Sequence, residues 1–191
     1  MTQEPFIYLY SRSSGRRVLS VPPGYEGFVL HDDQRRLRLL CGMHDLACPH
    51  VAAVFLVRVG GSHALDLRSL GGAMLHGADG RWRPLKVLGR LAYGVVRPEL
   101  LVDLLEREQI YETRQLGREL ARMVVELLSN VLDGEGWRAE KLSENLDMVS
   151  GEVLRRLAVA LAPIGLIPQG LELVADDSAL RQDLGAQAYP A

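Results

Sequence analysis

The order of local signals predicts an α+β fold. Strand patterns fill the first half of the 191-residue chain, and helix patterns fill most of the second. A last apolar stretch, 166–175, returns to strand character, whereas an alternating α/β sheet would interleave the two throughout.

The first strand candidates are 6–10 and 17–20, on either side of the turn-like Ser13-Ser14-Gly15. Val21-Pro22-Pro23-Gly24 then breaks the chain. Segments 25–31 and 35–40 suit a hairpin across Asp32-Asp33-Gln34. In the second arm Arg36 and Arg38 alternate with Leu37 and Leu39, the period-two pattern of a half-exposed strand. The run 51–59 is nearly all apolar and is predicted as a central strand covered on both faces. Weaker strands at 64–67 and 73–76 surround Gly60-Gly61 and Gly71-Gly72, with a turn over 77–80. A long strand is predicted at 85–96, with Gly89 and Gly94 as places to bend.

Helices begin at Pro98, since proline suits a first turn whose N–H has no partner to lose. Leu101, Leu104 and Leu105 share one face. The strongest helical pattern is 113–132. There Leu116, Leu120, Met123, Val124, Leu127, Leu128 and Val131 recur at three- and four-residue steps, opposite Arg118, Glu119, Arg122 and Glu126. Val125 and Leu132 broaden its apolar side, which suits either a subunit contact or cover by a neighbouring element. Asp133-Gly134-Glu135-Gly136 stops it. A short helix is predicted at 140–146 and a longer one at 150–162, with Val153, Leu154, Leu157 and Leu161 buried. Gly165 follows, where a left-handed cap is expected. The strand 166–175 completes one domain over 1–176, and 177–191 form a polar tail.

Composition excludes several roles. Hydrophobic residues make up 48% of the chain, ample for a core, but aromatics only 6%, which leaves few rings to stack on bases or sugars. Net charge is −2, against the basic excess of a general nucleic-acid binder, so no nucleic-acid partner is expected. The two cysteines are too few for a secreted disulfide framework. No signal peptide is visible, and the longest apolar run, 51–57, has the length of one strand rather than a membrane span. The expected location is the cytoplasm.

The one cluster of chemistry-bearing residues is Cys41, His44, Cys48 and His50. Two thiols and two imidazoles match a tetrahedral zinc set in ligand type. Their spacing, C-x2-H-x3-C-x-H, matches no familiar zinc pattern, and Pro49 holds Cys48 and His50 awkwardly close. The plainer reading has the cysteines as small apolar residues near strand ends and the histidines as loop or edge residues. A Cys–His nucleophilic pair would lack an orienting third group and an oxyanion hole. None of the glycine pairs has the spacing of a phosphate loop. No catalytic residue and no cofactor is expected. Arg12, Arg16, Arg17, Arg35, Arg36 and Arg38 bias the first forty residues positive, suiting anionic lipid heads or, more simply, the solvated face of a sheet.

Three stretches carry a resemblance to the SPFH domain family, also called Band 7 or the prohibitin homology domain. The first runs from Val21-Pro22-Pro23-Gly24 through Tyr25-Glu26-Gly27-Phe28-Val29-Leu30. The second is Gly89-Arg90-Leu91-Ala92-Tyr93-Gly94-Val95-Val96-Arg97-Pro98-Glu99-Leu100-Leu101. The third, 154–174, joins a leucine-rich helix through Ile164-Gly165-Leu166 to a closing strand. The chain is most similar to soluble bacterial members, of the type labelled virion core. The resemblance implies an oligomerising scaffold without catalytic residues, forming homo-oligomers or holding protein partners. The chain shows neither the N-terminal hydrophobic anchor nor the long charged coiled coil of membrane-bound members. Assembly away from membranes is therefore expected, with peripheral contact through the arginines as the alternative. A rival function, from a different class, is a small metal-binding or thiol redox-sensing protein built on the Cys41, His44, Cys48 and His50 cluster.

Overall fold

A computed structural model describes residues 4–10, 17–33, 35–46, 51–67, 73–76, 82–134 and 145–176. The fold is α+β, with strands early, helices later and a closing strand. The strands are β1 (Phe6–Tyr10), β2 (Arg17–Val21), β3 (Tyr25–His31), β4 (Arg36–Leu39), β5 (Gly42–Leu46), β6 (Val51–Arg58), β7 (His63–Asp66), β8 (Ala73–His76), β9 (Trp82–Val95) and β10 (Leu166–Asp176). The helices are α1 (Pro98–Arg107), α2 (Thr113–Gly134) and α3 (Leu146–Leu161), with a 3-10 turn over Ala162–Ile164. The chain divides into two compact units. One comprises Met1–Ala64, Tyr93–Glu119 and Ala158–Gln169. The other comprises Leu65–Ala92, Leu120–Leu157 and Gly170–Ala191.

The first unit is built on an antiparallel sheet in the order β1-β6-β3-β4. Register sorts its side chains onto two faces. Phe28 lies opposite Phe55, and Phe55 opposite Tyr8, so these share a face with Leu30, Val57 and Phe6. Phe6 and Tyr8 meet Phe55 with ring centroids 6.3 and 5.1 Å away, and Tyr111 caps Tyr8 at 4.5 Å. Helix α1 packs on β3 and β6 and buries Leu101, Val102 and Leu105. Pro98 stands in its first turn, as predicted.

The other face carries Val29, Leu39, Val54 and Leu56, which form one core with Val21 and Leu46 of a two-stranded ribbon, β2 paired with β5. β2 enters β3 through a tight turn in which Tyr25 N–H bonds the Pro22 carbonyl at 3.1 Å. Pro23 presets its first central residue, and Gly24, at φ +79°, supplies the left-handed second one.

In the second unit β8 pairs antiparallel with β9, and Leu67 N–H bonds the Gly89 carbonyl at 2.9 Å. Leu67, Leu91, Val124, Leu128, Val153, Leu157 and Leu173 are buried there. Strand order in the remaining sheet is β10-β9-β7. In the first unit, α2 opens with Gln115 Oε1 accepting the N–H groups of Tyr111 and Glu112 at 2.9 and 3.1 Å, which satisfies donors at the helix start.

β1 pairs with β6 and β2 with β5. Other features differ from expectation. Segment 42–46 is a strand that the sequence did not signal. α3 begins at Leu146 rather than near Ser150. Residues 140–144 of the predicted short helix, the turn over 77–80 and the tail 177–191 lie outside the described residues. The broad apolar side of α2 is covered within the chain: Leu132 is buried and Val125 is half-buried.

Candidate functional site

Of the cysteine–histidine cluster, Cys41 and His44 are described, and Cys48 and His50 lie outside the described residues. Cys41 is an exposed free thiol just before β5. His44 sits within β5, opposite Leu19, on the side of the ribbon that also carries Leu46 and Val21. Its Nε2 lies 2.7 Å from the Leu40 carbonyl oxygen. A carbonyl only accepts, so the imidazole donates from Nε2 and that nitrogen is not free to bind an ion. Its ring also lies over Gly42, whose added Cβ would stand 3.8 Å from Nε2. His44 thus serves as a clasp across the β4–β5 corner. Among the described residues, no group of three or more His, Cys, Asp or Glu is placed to hold a metal ion.

Three arginines of the arginine-rich start, Arg35, Arg36 and Arg38, are matched by carboxylates. Arg35 Nε bonds Asp33 Oδ2 at 2.6 Å, and the Arg35 backbone N–H and guanidinium together hold the Asp33 carboxyl below its ordinary range. Arg36 reaches α1, pairing with Asp103 and with Glu106, the latter at 2.6 Å. Arg38 grips Glu26 with two bonds of 2.8 Å, and this raises the guanidinium's affinity for its proton. These three arginines therefore spend their charge within the fold and form no free cationic row. Arg12 and Arg16 lie outside the described residues. Glu26 stands two residues from Phe28, the partner of Arg38, so its pair follows from hairpin register. No local signal links Arg36 to Asp103 and Glu106.

What the surface does offer is apolar. Val18 and Met43 lie on the outward side of the β2–β5 ribbon, 64% and 69% exposed, and Leu40 at the adjoining corner is 64% exposed. Val159 of α3 is 71% exposed and Met148 57%.

Two of the three stretches singled out in the sequence, 89–101 and 154–174, meet at one junction. Gly165 takes the left-handed cap after the 3-10 turn, at φ +76°. Its carbonyl accepts the N–H groups of Val96 and Arg97 at 2.9 and 3.0 Å, at the turn between β9 and α1. Arg97 Nη2 in return donates to the Ala162 carbonyl at 2.7 Å. A Cβ on Gly165 would stand 2.0 Å from the Arg97 carbonyl oxygen, so only glycine permits this approach.

Compared with known proteins, the chain matches no family model and no curated protein. Among the described residues no helix is long and apolar enough to cross a membrane.

Proposed function

We propose that this chain is a non-catalytic assembly module of SPFH-like design, which self-associates or organises partner proteins. The outward face of the β2–β5 ribbon carries this reading: Val18, opposite Asp45, and Met43, opposite Ser20, are strongly exposed diagonal neighbours, and Leu40 at the adjoining corner is exposed too. Exposed large apolar side chains on a strand pair whose other face is already packed suit contact with another chain. The junction at Gly165, which ties the second resembling stretch to the third, supports the kinship. The internal pairing of Arg35, Arg36 and Arg38 favours protein over lipid as the partner.

Liposome flotation, run beside light scattering on a sizing column, tests the reading. The chain is expected to elute above its monomer mass of 21.1 kDa and to stay in the lower fraction with anionic liposomes. Salt-sensitive flotation would instead assign the role to a lipid surface.

A further inference from the structure

Helix α3 has one face unaccounted for by the chain's own packing. Val149, Val153, Leu157 and Leu161 are buried. Met148, Glu152, Arg155 and Val159 fall on another stripe, at steps of four, three and four residues, the repeat of a two-helix seam. Its two ends are apolar and strongly exposed. Its middle is an ion pair: Arg155 bonds Glu152 through Nε and Nη2 at 2.9 and 2.8 Å, and Arg156 Nε joins at 2.6 Å. Such pairs steady a helix by themselves. They do not explain why Met148 and Val159 bracket them in open water, nor why the flanking Gly151 has nothing within 4 Å of an added Cβ.

The order apolar, acid, base, apolar is its own complement when reversed. From these observations we infer that α3 is a seam between two copies of this chain, packed antiparallel about a two-fold axis between Val153 and Leu154. The inference rests on the assembly reading above. In this register Met148 of each copy packs on Val159 of the other, and Glu152 faces Arg155 in both directions. Arg155 Nη1 and both terminal nitrogens of Arg156 are not used within the helix, so donors remain to reach the opposing Glu152. Gly151 and the exposed Ala158 let the helices approach closely. The stripe is roughly 16 Å long at 1.5 Å per residue, which sets a small, concentration-dependent contact rather than an obligate one.

Charge reversal tests the seam, because the variants can be mixed. Glu152→Arg and Arg155→Glu each put like charges face to face twice per dimer. Each is expected to raise the dimer dissociation constant about tenfold or more, read by sedimentation velocity. An equimolar mixture of the two restores both pairs across the seam while leaving each chain's own pair broken. It is expected to associate within about threefold of the wild type. Val159→Lys, at an exposed position, should dissociate the dimer with an unchanged melting temperature. A wild-type dimer indifferent to both reversals, or a mixture no better than its components, overturns the seam and leaves the assembly reading standing. A wild type that stays monomeric at every concentration overturns the seam and self-association together.

Discussion

Three glycines separate two costs that are usually confounded, and Gly165 combines them. At Gly165→Ala the residue must hold φ +76°, which costs an L-side chain about 1–2 kcal/mol. Its Cβ must also displace the Arg97 carbonyl, which stands 2.0 Å away and belongs to backbone that cannot swing aside. Moving it loosens the two bonds that Gly165 accepts from Val96 and Arg97, each worth about 1 kcal/mol. The expected loss is therefore about 3–4 kcal/mol, a large fraction of an ordinary domain's stability. Gly24→Ala carries only the first cost, since φ is +79° and nothing lies within 4 Å of its Cβ; about 1–2 kcal/mol is expected. Gly89→Ala carries only the second: its backbone is not left-handed, but its Cβ would stand 2.1 Å from the Glu172 carbonyl oxygen. Overpacking of this kind costs about 1–3 kcal/mol. Urea unfolding followed by far-ultraviolet circular dichroism ranks the three. With a slope of about 2 kcal/mol per molar, Gly165→Ala should move the midpoint by about 1.5–2 M. If Gly165→Ala proves no worse than Gly24→Ala, the close approach at the β9–α1 junction is not what fixes a glycine there.

Two further outcomes follow from burial. Leu120, 1% exposed on α2, cannot become Asp without burying an unpaired carboxylate. Leu120→Asp should cost several kcal/mol and abolish the cooperative melt; a soluble variant with the wild-type melting temperature would contradict the packing of α2. Tyr93 is buried beside His63, ring centroids 5.5 Å apart, and burial pushes its phenol up to about 12. The unfolded chain ionises this tyrosine near 10, so the contribution is whole below pH 10 and is lost as pH rises towards 12. The loss amounts to about 2–3 kcal/mol, and Tyr93→Phe should remove that part of the alkaline destabilisation. An unchanged pH profile in Tyr93→Phe would refute it.

Much of the framework was legible because period and punctuation agree with tertiary fate. The alternation of Arg36 to Leu39 marked a half-exposed strand, which lies at the sheet edge, and the nearly unbroken apolar run of β6 marked a central strand, which lies between β1 and β3. Pro98 and Gly165 marked a helix start and a helix end. β5 was not legible. Gly42, His44 and Asp45 are poor strand formers, and the segment is extended because it pairs with β2 across more than twenty residues. That miss changed the reading of the cluster, since the strand turns His44 inward onto the Leu40 carbonyl. The sequence pattern places the start of α3 at about 150, four residues late: the helix begins at Leu146 and is held by Val149, Val153 and Leu157 on its buried side. The ion pairs from Arg36 to α1 join residues about seventy positions apart and leave no mark on local sequence.

The most direct test of the assembly reading is the mass of the unmodified chain at sedimentation equilibrium, from low micromolar to near-millimolar concentration. Self-association predicts a rise with concentration to at least twice 21.1 kDa, reversible on dilution. A mass that holds at 21.1 kDa across the whole range would contradict self-association.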